Sequence, residues 1–187
     1  MGILIAGLDL ETSGIDYERG HRIVEIAMSI YDFDPVAIEF TKKGAFTQRI
    51  NPQRPIDPGA QAVHGISYEE VAMCPIWEDI APKVVKIMSA TKIIVAHNGD
   101  GFDLPFITHE LLRVGCAIPN IRTVDTMLAS RWASPGGKYP TLGELCFATN
   151  TPYDPSQAHA ALYDVDCMMS AFFKAHKKGF IKLPQIH

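Results

Sequence analysis

A chain of 187 residues with 47% hydrophobic and 20% charged residues is long enough for one domain with a sizeable core, and its composition excludes a disordered or fibrous protein. Its net charge of −4 disfavours a protein that coats nucleic acid, because such binding neutralises many phosphates. The charge still allows an enzyme that grips a few nucleotides with the help of bound cations. We expect a single domain over residues 1–187.

Membrane insertion and secretion are also disfavoured. No apolar run approaches the roughly 20 residues of a membrane span, and the first residues lack the basic opening of a signal peptide. The cysteines are scattered without a CxxC spacing, which disfavours a zinc site or a disulfide scaffold and favours a reducing compartment. They are Cys74, Cys116, Cys146 and Cys167. We expect a soluble, cytoplasmic protein with no membrane partner.

Strand patterns dominate the first part of the chain, and strands then alternate with helices. Apolar or β-branched runs predict strands over residues 3–10, 22–33 and 44–51. A helical pattern broken near Pro75 follows over residues 67–89. The later predicted strands are 92–97 and 121–126, and the later predicted helices are 102–115, 141–150 and 159–179. A possible three-strand meander followed by strand–helix alternation predicts an α/β layer fold with a mixed sheet.

Two acids, Asp9 and Glu11, stand at the end of the first strand with one residue between them. Residues two apart in a strand point to the same side, so the two carboxylates would lie next to each other. One interpretation ends the strand at Leu8 and leaves the acids in solvent. The other is a divalent-cation site, because hard oxygen ligands suit Mg²⁺ or Mn²⁺ and the cation removes the repulsion between carboxylates.

Further acids lie in two later segments. Asp103 follows a buried strand at the beginning of a predicted helix, where helix chemistry alone favours an N-cap role, and Asp100 competes for that role. In the last helix, Asp164 and Asp166 both flank the apolar stripe, and periodicity does not choose between a site residue and a solvated flank. His159 belongs to the loop or cap that opens this helix.

Three segments carry a family resemblance. The stretches DLETSG, HNGDGFD and HAALYD, in this order, resemble the three motifs of the DEDDh (DnaQ-like) 3′→5′ exonucleases. This superfamily includes the proofreading subunit of bacterial DNA polymerase, exonuclease X, RNase T and the animal three-prime repair exonucleases. The stretches RIVEIA, PQRPIDPGAQAVHGIS, TVDTMLASR and TLGELC resemble further family segments, so the resemblance covers nearly the whole chain.

The resemblance implies a fold, a cofactor and a set of roles. The fold is RNase H-like, with a mixed five-stranded sheet flanked by helices. The implied cofactor is two Mg²⁺ ions, for which Mn²⁺ can substitute, and the implied general base is His159. The implied metal ligands are Asp9, Glu11, Asp103 and Asp164. The family pattern selects Asp164 over Asp166.

One departure concerns the second motif. Proofreading subunits usually have two residues between the asparagine and the Phe-Asp pair, whereas three residues separate Asn98 from Phe102 here. The animal repair exonucleases have a similar form, so the resemblance still favours Asp103, with Asp100 as a second candidate.

Four residues are candidates for contact with the nucleic acid. Thr12 could present its backbone or side chain to the terminal nucleotide, and Asn98 could position a sugar or phosphate. His64 resembles a family residue near the scissile end, although a role in loop packing is the alternative. Phe102 could stack on a base, although a core aromatic is the alternative. We expect His97 to be a partly buried orienting residue.

The leading hypothesis is a 3′→5′ exonuclease that hydrolyses single-stranded DNA or frayed 3′ ends to 5′-mononucleotides, in proofreading or DNA repair. An exoribonuclease of the same superfamily is the alternative, because a single sequence does not reveal a preference for the 2′-hydroxyl. A non-catalytic nucleic-acid-binding module is the third hypothesis, and the intact set of five catalytic residues argues against it. The sequence assigns neither a polymerase partner nor a homodimer.

Overall fold

A mixed five-stranded sheet forms the centre of the computed structural model, which describes residues 2–185. The strands are β1 (Ile3–Thr12), β2 (Ile23–Asp34), β3 (Glu39–Arg49), β4 (Ile93–Ala96) and β5 (Arg122–Asp125), in the order β3-β2-β1-β4-β5. β1, β2 and β3 form an antiparallel meander, while β4 and β5 continue the sheet parallel to β1. The predicted mixed five-stranded sheet is confirmed.

Helices cover both faces of the sheet. They are α1 (Pro58–His64), α2 (Tyr68–Val71), α3 (Trp77–Ala90), α4 (Asp103–Arg113), α5 (Leu142–Ala148) and α6 (Ala161–Lys177). Apolar residues of α3 and α4 pack in one core cluster with one face of β1, and those of α6 pack in a second cluster with the other face. Within residues 2–185, no helix combines the length and the apolar character that crossing a bilayer requires.

Strand β1 is buried on both sides, as its two apolar faces predict. Leu8 faces the α3–α4 cluster, and Ile5 faces the α6 cluster. At Gly7 a β-carbon would lie 2.8 Å from Val165 and 2.6 Å from Met169, so the close approach of α6 requires glycine. Because the strand continues to Thr12, the interpretation that ended it at Leu8 is wrong.

Two elements differ from the sequence prediction. Strand β3 begins at Glu39 rather than at residue 44, because the polar residues there continue the antiparallel pairing with β2. Helix α1 was not predicted, since three nearby prolines indicated an irregular loop. One of them, Pro58, occupies the first helical turn, where its missing N–H leaves no bond unmade. The predicted break near Pro75 is confirmed by the separation of α2 from α3.

Candidate active site

A cavity of about 280 Å³ opens where β1 and β4 reach their carboxyl ends. The two strands are parallel, so the segments that follow them meet at one edge of the sheet, where the first turns of α4 and α6 also lie. All nine residues singled out in the sequence line this cavity: Asp9, Glu11, Thr12, His64, Asn98, Phe102, Asp103, His159 and Asp164. The fold therefore brings together residues from four separate segments of the chain.

Strand β1 places the first two acids. Asp9 and Glu11 alternate with Leu10, which points into the opposite core cluster. Glu11 is buried and stands opposite Glu25 of β2, and the pairing shifts register directly after it. Asp9 is half-buried at the cavity. The strand thus carries two carboxylates, with little exposure to water, to one wall of the cavity.

The third acid, Asp103, is buried at the first residue of α4. Its Oδ1 accepts a hydrogen bond from the backbone N–H of Leu10 at 3.0 Å. The N-cap position belongs to Phe102, and no side chain caps this helix. The N-cap role that helix chemistry favoured for Asp103 is therefore wrong, because the carboxylate is turned toward β1 instead.

The fourth acid, Asp164, lies in the first turn of α6. Its Oδ2 accepts a hydrogen bond from the backbone N–H of His159 at 2.7 Å. Its Oδ1 is buried and has no hydrogen-bond partner among residues 2–185. His159 precedes the helix, has a φ of +66°, and is exposed, which agrees with the predicted loop or cap position. Asp164 thus holds the turn that carries His159 while one oxygen stays available.

The structure separates Asp166 from the site. Its carboxylate is 2.6 Å from Nζ of Lys42 and accepts a hydrogen bond from Oγ of Ser29 at 2.7 Å. Asp166 does not line the cavity, and neither does Asp100, which is exposed. Helical periodicity could not distinguish Asp164 from Asp166 because both flank the apolar stripe, and the neighbouring strands make the difference.

Asp125, to which no role was given from the sequence, organises the loop after β4. Its buried carboxylate accepts hydrogen bonds from four backbone N–H groups. The donors are Asn98, Asp100, Met127 and Leu128, at 2.9–3.2 Å. The TVDT segment, which resembles a family segment, contains this aspartate. Its contact with residues 98–100 could not be predicted from the sequence, because it depends on the pairing of β4 with β5.

The acidic side chains perturb one another. Withdrawal from water raises the pKa of all four carboxyl groups, and that of Glu11 reaches about 9. The charges of Asp103 and Asp164 further raise the pKa of Asp9. Hydrogen bonds from Leu10 and His159 partly oppose the increase at Asp103 and Asp164. Burial and mutual repulsion thus both disfavour the ionised forms of these carboxyl groups. A divalent cation would supply positive charge that stabilises the ionised forms.

The donor set fits hard cations, because carboxylate oxygens are the ligands that Mg²⁺ and Mn²⁺ prefer. Among residues 2–185, no three Asp, Glu, His or Cys side chains form a ready coordination group. Two of the carboxylates, those of Asp103 and Asp164, each accept a hydrogen bond from a backbone N–H group through one oxygen. The unpartnered Oδ1 of Asp164 supports the fit, because a buried carboxylate oxygen without a partner is unfavourable until a cation or water contacts it.

The histidines at the cavity differ in their ring contacts. Nδ1 of His97 lies 2.9 Å from the Thr126 hydroxyl and its Nε2 lies 3.1 Å from the Pro140 carbonyl, which agrees with the predicted orienting role. Nδ1 of His64 accepts from the N–H of Ile66, so its Nε2 donates to the Thr12 carbonyl at 3.2 Å. Burial lowers the pKa of both His97 and His64.

The remaining lining combines an exposed amide with apolar side chains. Asn98 is exposed at a φ of +63°, and the half-buried Phe102 packs against Phe106 with ring centroids 5.5 Å apart. Ile15 and Val63 also line the cavity, with 86% and 55% of their surface exposed. They were not predicted as site residues, and Ile15 directly follows the DLETSG motif, which was the available signal. Exposed apolar side chains at the cavity offer contact area for a ligand.

Sequence comparison places the chain among nucleases. Residues 6–172 match the family model RNase_T, described as exonuclease. The chain is 34% identical over 174 residues to the DNA polymerase III subunit epsilon of Rickettsia conorii, covering 88% of this chain and 70% of that protein. It is 29% identical over 171 residues to the 3′-5′ exonuclease DinG of Bacillus subtilis, covering 91% of this chain and 17% of that protein.

Solved structures share the fold. Exonuclease X in complex with 5′ overhanging duplex DNA superposes with a TM-score of 0.63 at 26% identity, covering 94% of this chain and 93% of the other. An exonuclease I structure superposes with a TM-score of 0.77 at 17% identity. This chain spans 94% of its own length in that match but 41% of the exonuclease I chain, so the likeness concerns the fold of that part.

Proposed function

This chain belongs to the exonuclease family, in its DEDDh branch of 3′→5′ exonucleases, and on that premise we propose that it hydrolyses DNA from single-stranded or frayed 3′ ends to 5′-mononucleotides. The observation that carries the proposal is the meeting of four carboxylates and His159 at one cavity. A single exonuclease domain over residues 1–187 is part of the proposal.

The acids would hold the metal. The superfamily is dependent on divalent metals, and Asp9, Glu11, Asp103 and Asp164 would be the ligands of two Mg²⁺ ions, for which Mn²⁺ would substitute. Bound ions would polarise the phosphodiester and favour ionisation of the attacking water. The ions would in turn neutralise the negative charge of the four carboxylates. A polyanionic strand could then approach the site without being repelled.

His159 would remove the proton from the attacking water. Among residues 2–185 no hydrogen bond engages its ring, whereas both ring nitrogens of His97 and His64 have partners. An unengaged imidazole with access to solvent can accept a proton and pass it on. The hydrogen bond from its backbone N–H to Asp164 holds the base next to one of the proposed ligands.

The other lining residues would hold the terminal nucleotide. Asn98 is placed to contact sugar or phosphate, and Phe102, Ile15 and Val63 offer apolar surface to bases, since every base has a π-face. Thr12 and His64 are hydrogen-bonded to each other through the Thr12 carbonyl, and they would line the sugar side. These contacts are independent of base identity, which suits an enzyme that removes any nucleotide.

DNA is the proposed substrate because the epsilon subunit is named for a DNA polymerase and exonuclease X was solved with DNA. Association with a polymerase, in proofreading or in repair, follows the same likeness to the epsilon subunit. A cytoplasmic location is supported by the four cysteines, all of which are free thiols.

Digestion of end-labelled oligonucleotides tests the proposal. Single-stranded DNA and RNA of one sequence, labelled at either end, would be incubated with Mg²⁺ or with excess chelator. We expect 3′-labelled DNA to release labelled mononucleotide at once, while 5′-labelled DNA shortens stepwise, and only with the metal. Faster digestion of RNA would replace the DNA assignment by an exoribonuclease. Binding without cleavage would indicate the non-catalytic module.

A further inference from the structure

We propose that His21 is a positioning residue, which joins the two walls of the cavity and thereby sets the affinity for the terminal nucleotide. The proposal rests on the proposed exonuclease function for its kinetic consequence, but its structural part can be measured independently. The first wall is the segment 12–15, which follows the acids of β1. The second wall is α1, which contributes Gly59, Ala60, Val63 and His64.

A chain of three side chains, buried at Ser13 and His21 and half-exposed at Asp57, connects the two walls. Nδ1 of His21 lies 3.3 Å from Oγ of Ser13, and its Nε2 lies 3.4 Å from Oδ2 of Asp57. Ser13 is fully buried and His21 is 7% exposed, so water competes little for the contact between these two residues. Ser13 belongs to the first wall, and Asp57 directly precedes α1 of the second.

The backbone determines the direction of the hydrogen bond between Ser13 and His21. The Ser13 Oγ already accepts a hydrogen bond from the N–H of Arg22 at 3.0 Å, so its hydroxyl hydrogen is available to Nδ1 of His21. Nε2 of the imidazole then carries the ring hydrogen and faces the Asp57 carboxylate at 3.4 Å, a polar contact between an imidazole and a carboxylate. Asp57 occupies the N-cap position of α1 but makes no side-chain cap, because its carboxylate is directed to His21.

Packing supports the same role. A β-carbon at Gly14 would lie 2.3–2.7 Å from three atoms of the His21 ring, so the imidazole fills the space beneath the first wall. The backbone N–H of Asp57 donates to the carbonyl of Ser13 at 2.9 Å, which aligns the two segments. Ile15 and Val63, the exposed apolar residues on opposite walls, are thus held at one separation.

The consequence for catalysis is specific. His21 does not line the cavity, so its loss leaves the acids and His159 in place. The loss of His21 lets the two walls move relative to each other in the free protein. Binding of a nucleotide must then order the walls again, and this entropic cost weakens binding. We expect His21→Ala to raise KM about five- to tenfold, with kcat within about twofold of wild type, the size of the lost hydrogen bond to Ser13 together with the lost polar contact to Asp57.

Variants at Asp57 separate positioning from folding. Asp57 is 54% exposed, so Asp57→Ala removes the acceptor with little loss of packing. Asp57→Asn keeps an oxygen acceptor and should restore the wild-type KM. His176→Ala is the matched control, because this half-buried histidine also bonds through Nδ1, to the Ile181 carbonyl at 3.0 Å, and does not line the cavity. It should lower Tm and leave KM unchanged.

Amide hydrogen exchange gives a readout that needs no activity. His21→Ala and Asp57→Ala should speed exchange in both 13–22 and 57–65, whereas His176→Ala should not. If the wild-type protein cleaves no nucleic acid, the proposed function fails and the exchange data still decide the role of His21. Unchanged exchange in both segments overturns the proposal, as does an unchanged KM in His21→Ala of an active enzyme, or equal KM values in Asp57→Asn and Asp57→Ala.

Discussion

The backbone N–H of Leu10 donates a hydrogen bond to Oδ1 of Asp103, at 3.0 Å and across 93 residues of sequence. The bond is buried and joins the acidic end of β1 to the first residue of α4. It orients one carboxylate oxygen toward the backbone and leaves the other for the cavity. One interaction thus connects the first acidic motif with the second.

Replacing Asp103 tests this double role. Asp103→Asn keeps an oxygen that can accept from Leu10 but removes the charge, so we expect a Tm near that of wild type and a loss of activity of more than about 10²-fold. Asp103→Ala removes both and leaves the buried N–H of Leu10 without an acceptor, which costs about 1–3 kcal/mol. Melting curves and initial rates of the two variants check the prediction. Equal Tm values would contradict the structural part.

Metal binding should be visible without substrate. Mg²⁺ or Mn²⁺ at about 100 times its Kd should raise Tm by about 5–10 °C, since a ligand of the folded state alone stabilises that state. Excess chelator should remove both this increase and the nuclease activity. Thermal scans across a metal titration provide the measurement, with Asp9→Asn as the control that should show a smaller increase. Full activity in chelator would rule out the metal mechanism.

Substitutions of the two acids of α6, Asp164 and Asp166, should affect activity differently. Asp164→Asn should lower turnover by more than about 10²-fold and leave Tm equal or higher, because it removes one of several repelling carboxylates. Asp166→Asn should keep its activity and lose about 0.5–1 kcal/mol, because its half-exposed ion pair with Lys42 is weakened. Turnover rates and urea unfolding curves of both variants check these predictions. If Asp166→Asn abolishes activity and Asp164→Asn does not, the acid of the third motif is Asp166 and the assignment of Asp164 is wrong.

His159→Ala should retain binding of metal and nucleic acid, since His159 holds neither in the proposed mechanism. The single-turnover rate should fall by about 10²–10⁴, the usual contribution of a positioned general base. His97→Ala is the comparison: it breaks two hydrogen bonds and should mainly lower Tm. A His159→Ala variant that melts earlier but cleaves at the wild-type rate would remove His159 from the mechanism.

Stability of the metal-free protein should decrease as pH rises. The carboxyl of Glu11 keeps its proton up to about pH 9 in the folded protein, against an ordinary pKa of 4.5. Between these values the folded state binds more protons than the unfolded state, so the free energy of unfolding falls with increasing pH. Glu11→Gln does not titrate and should show a shallower decrease. Tm measured from pH 5 to 9 in chelator checks this, and equal slopes for both proteins would contradict it.

Local pattern was sufficient for much of this protein. The apolar runs of β1, β2 and β4 are continuous enough to predict buried strands, and the period of α6 predicts its length to within a few residues. The nine candidate residues were identified from the acids, the histidine and the family motifs, and all nine line one cavity. The type and the order of these side chains are sufficient to identify the candidates, because few residue types have the oxygen ligands that hard cations prefer.

What only the tertiary structure decided depends on contacts between distant segments. Asp103 turns its carboxylate to β1 rather than capping α4 because Leu10 of β1 supplies a donor. Asp166 lies away from the cavity because Ser29 of β2 and Lys42 of β3 are its partners. The roles of Asp125 and His21 likewise depend on segments that the sheet brings together. A carboxylate or imidazole binds whichever group lies within about 3 Å. Periodicity along one element carries no information about which group that is.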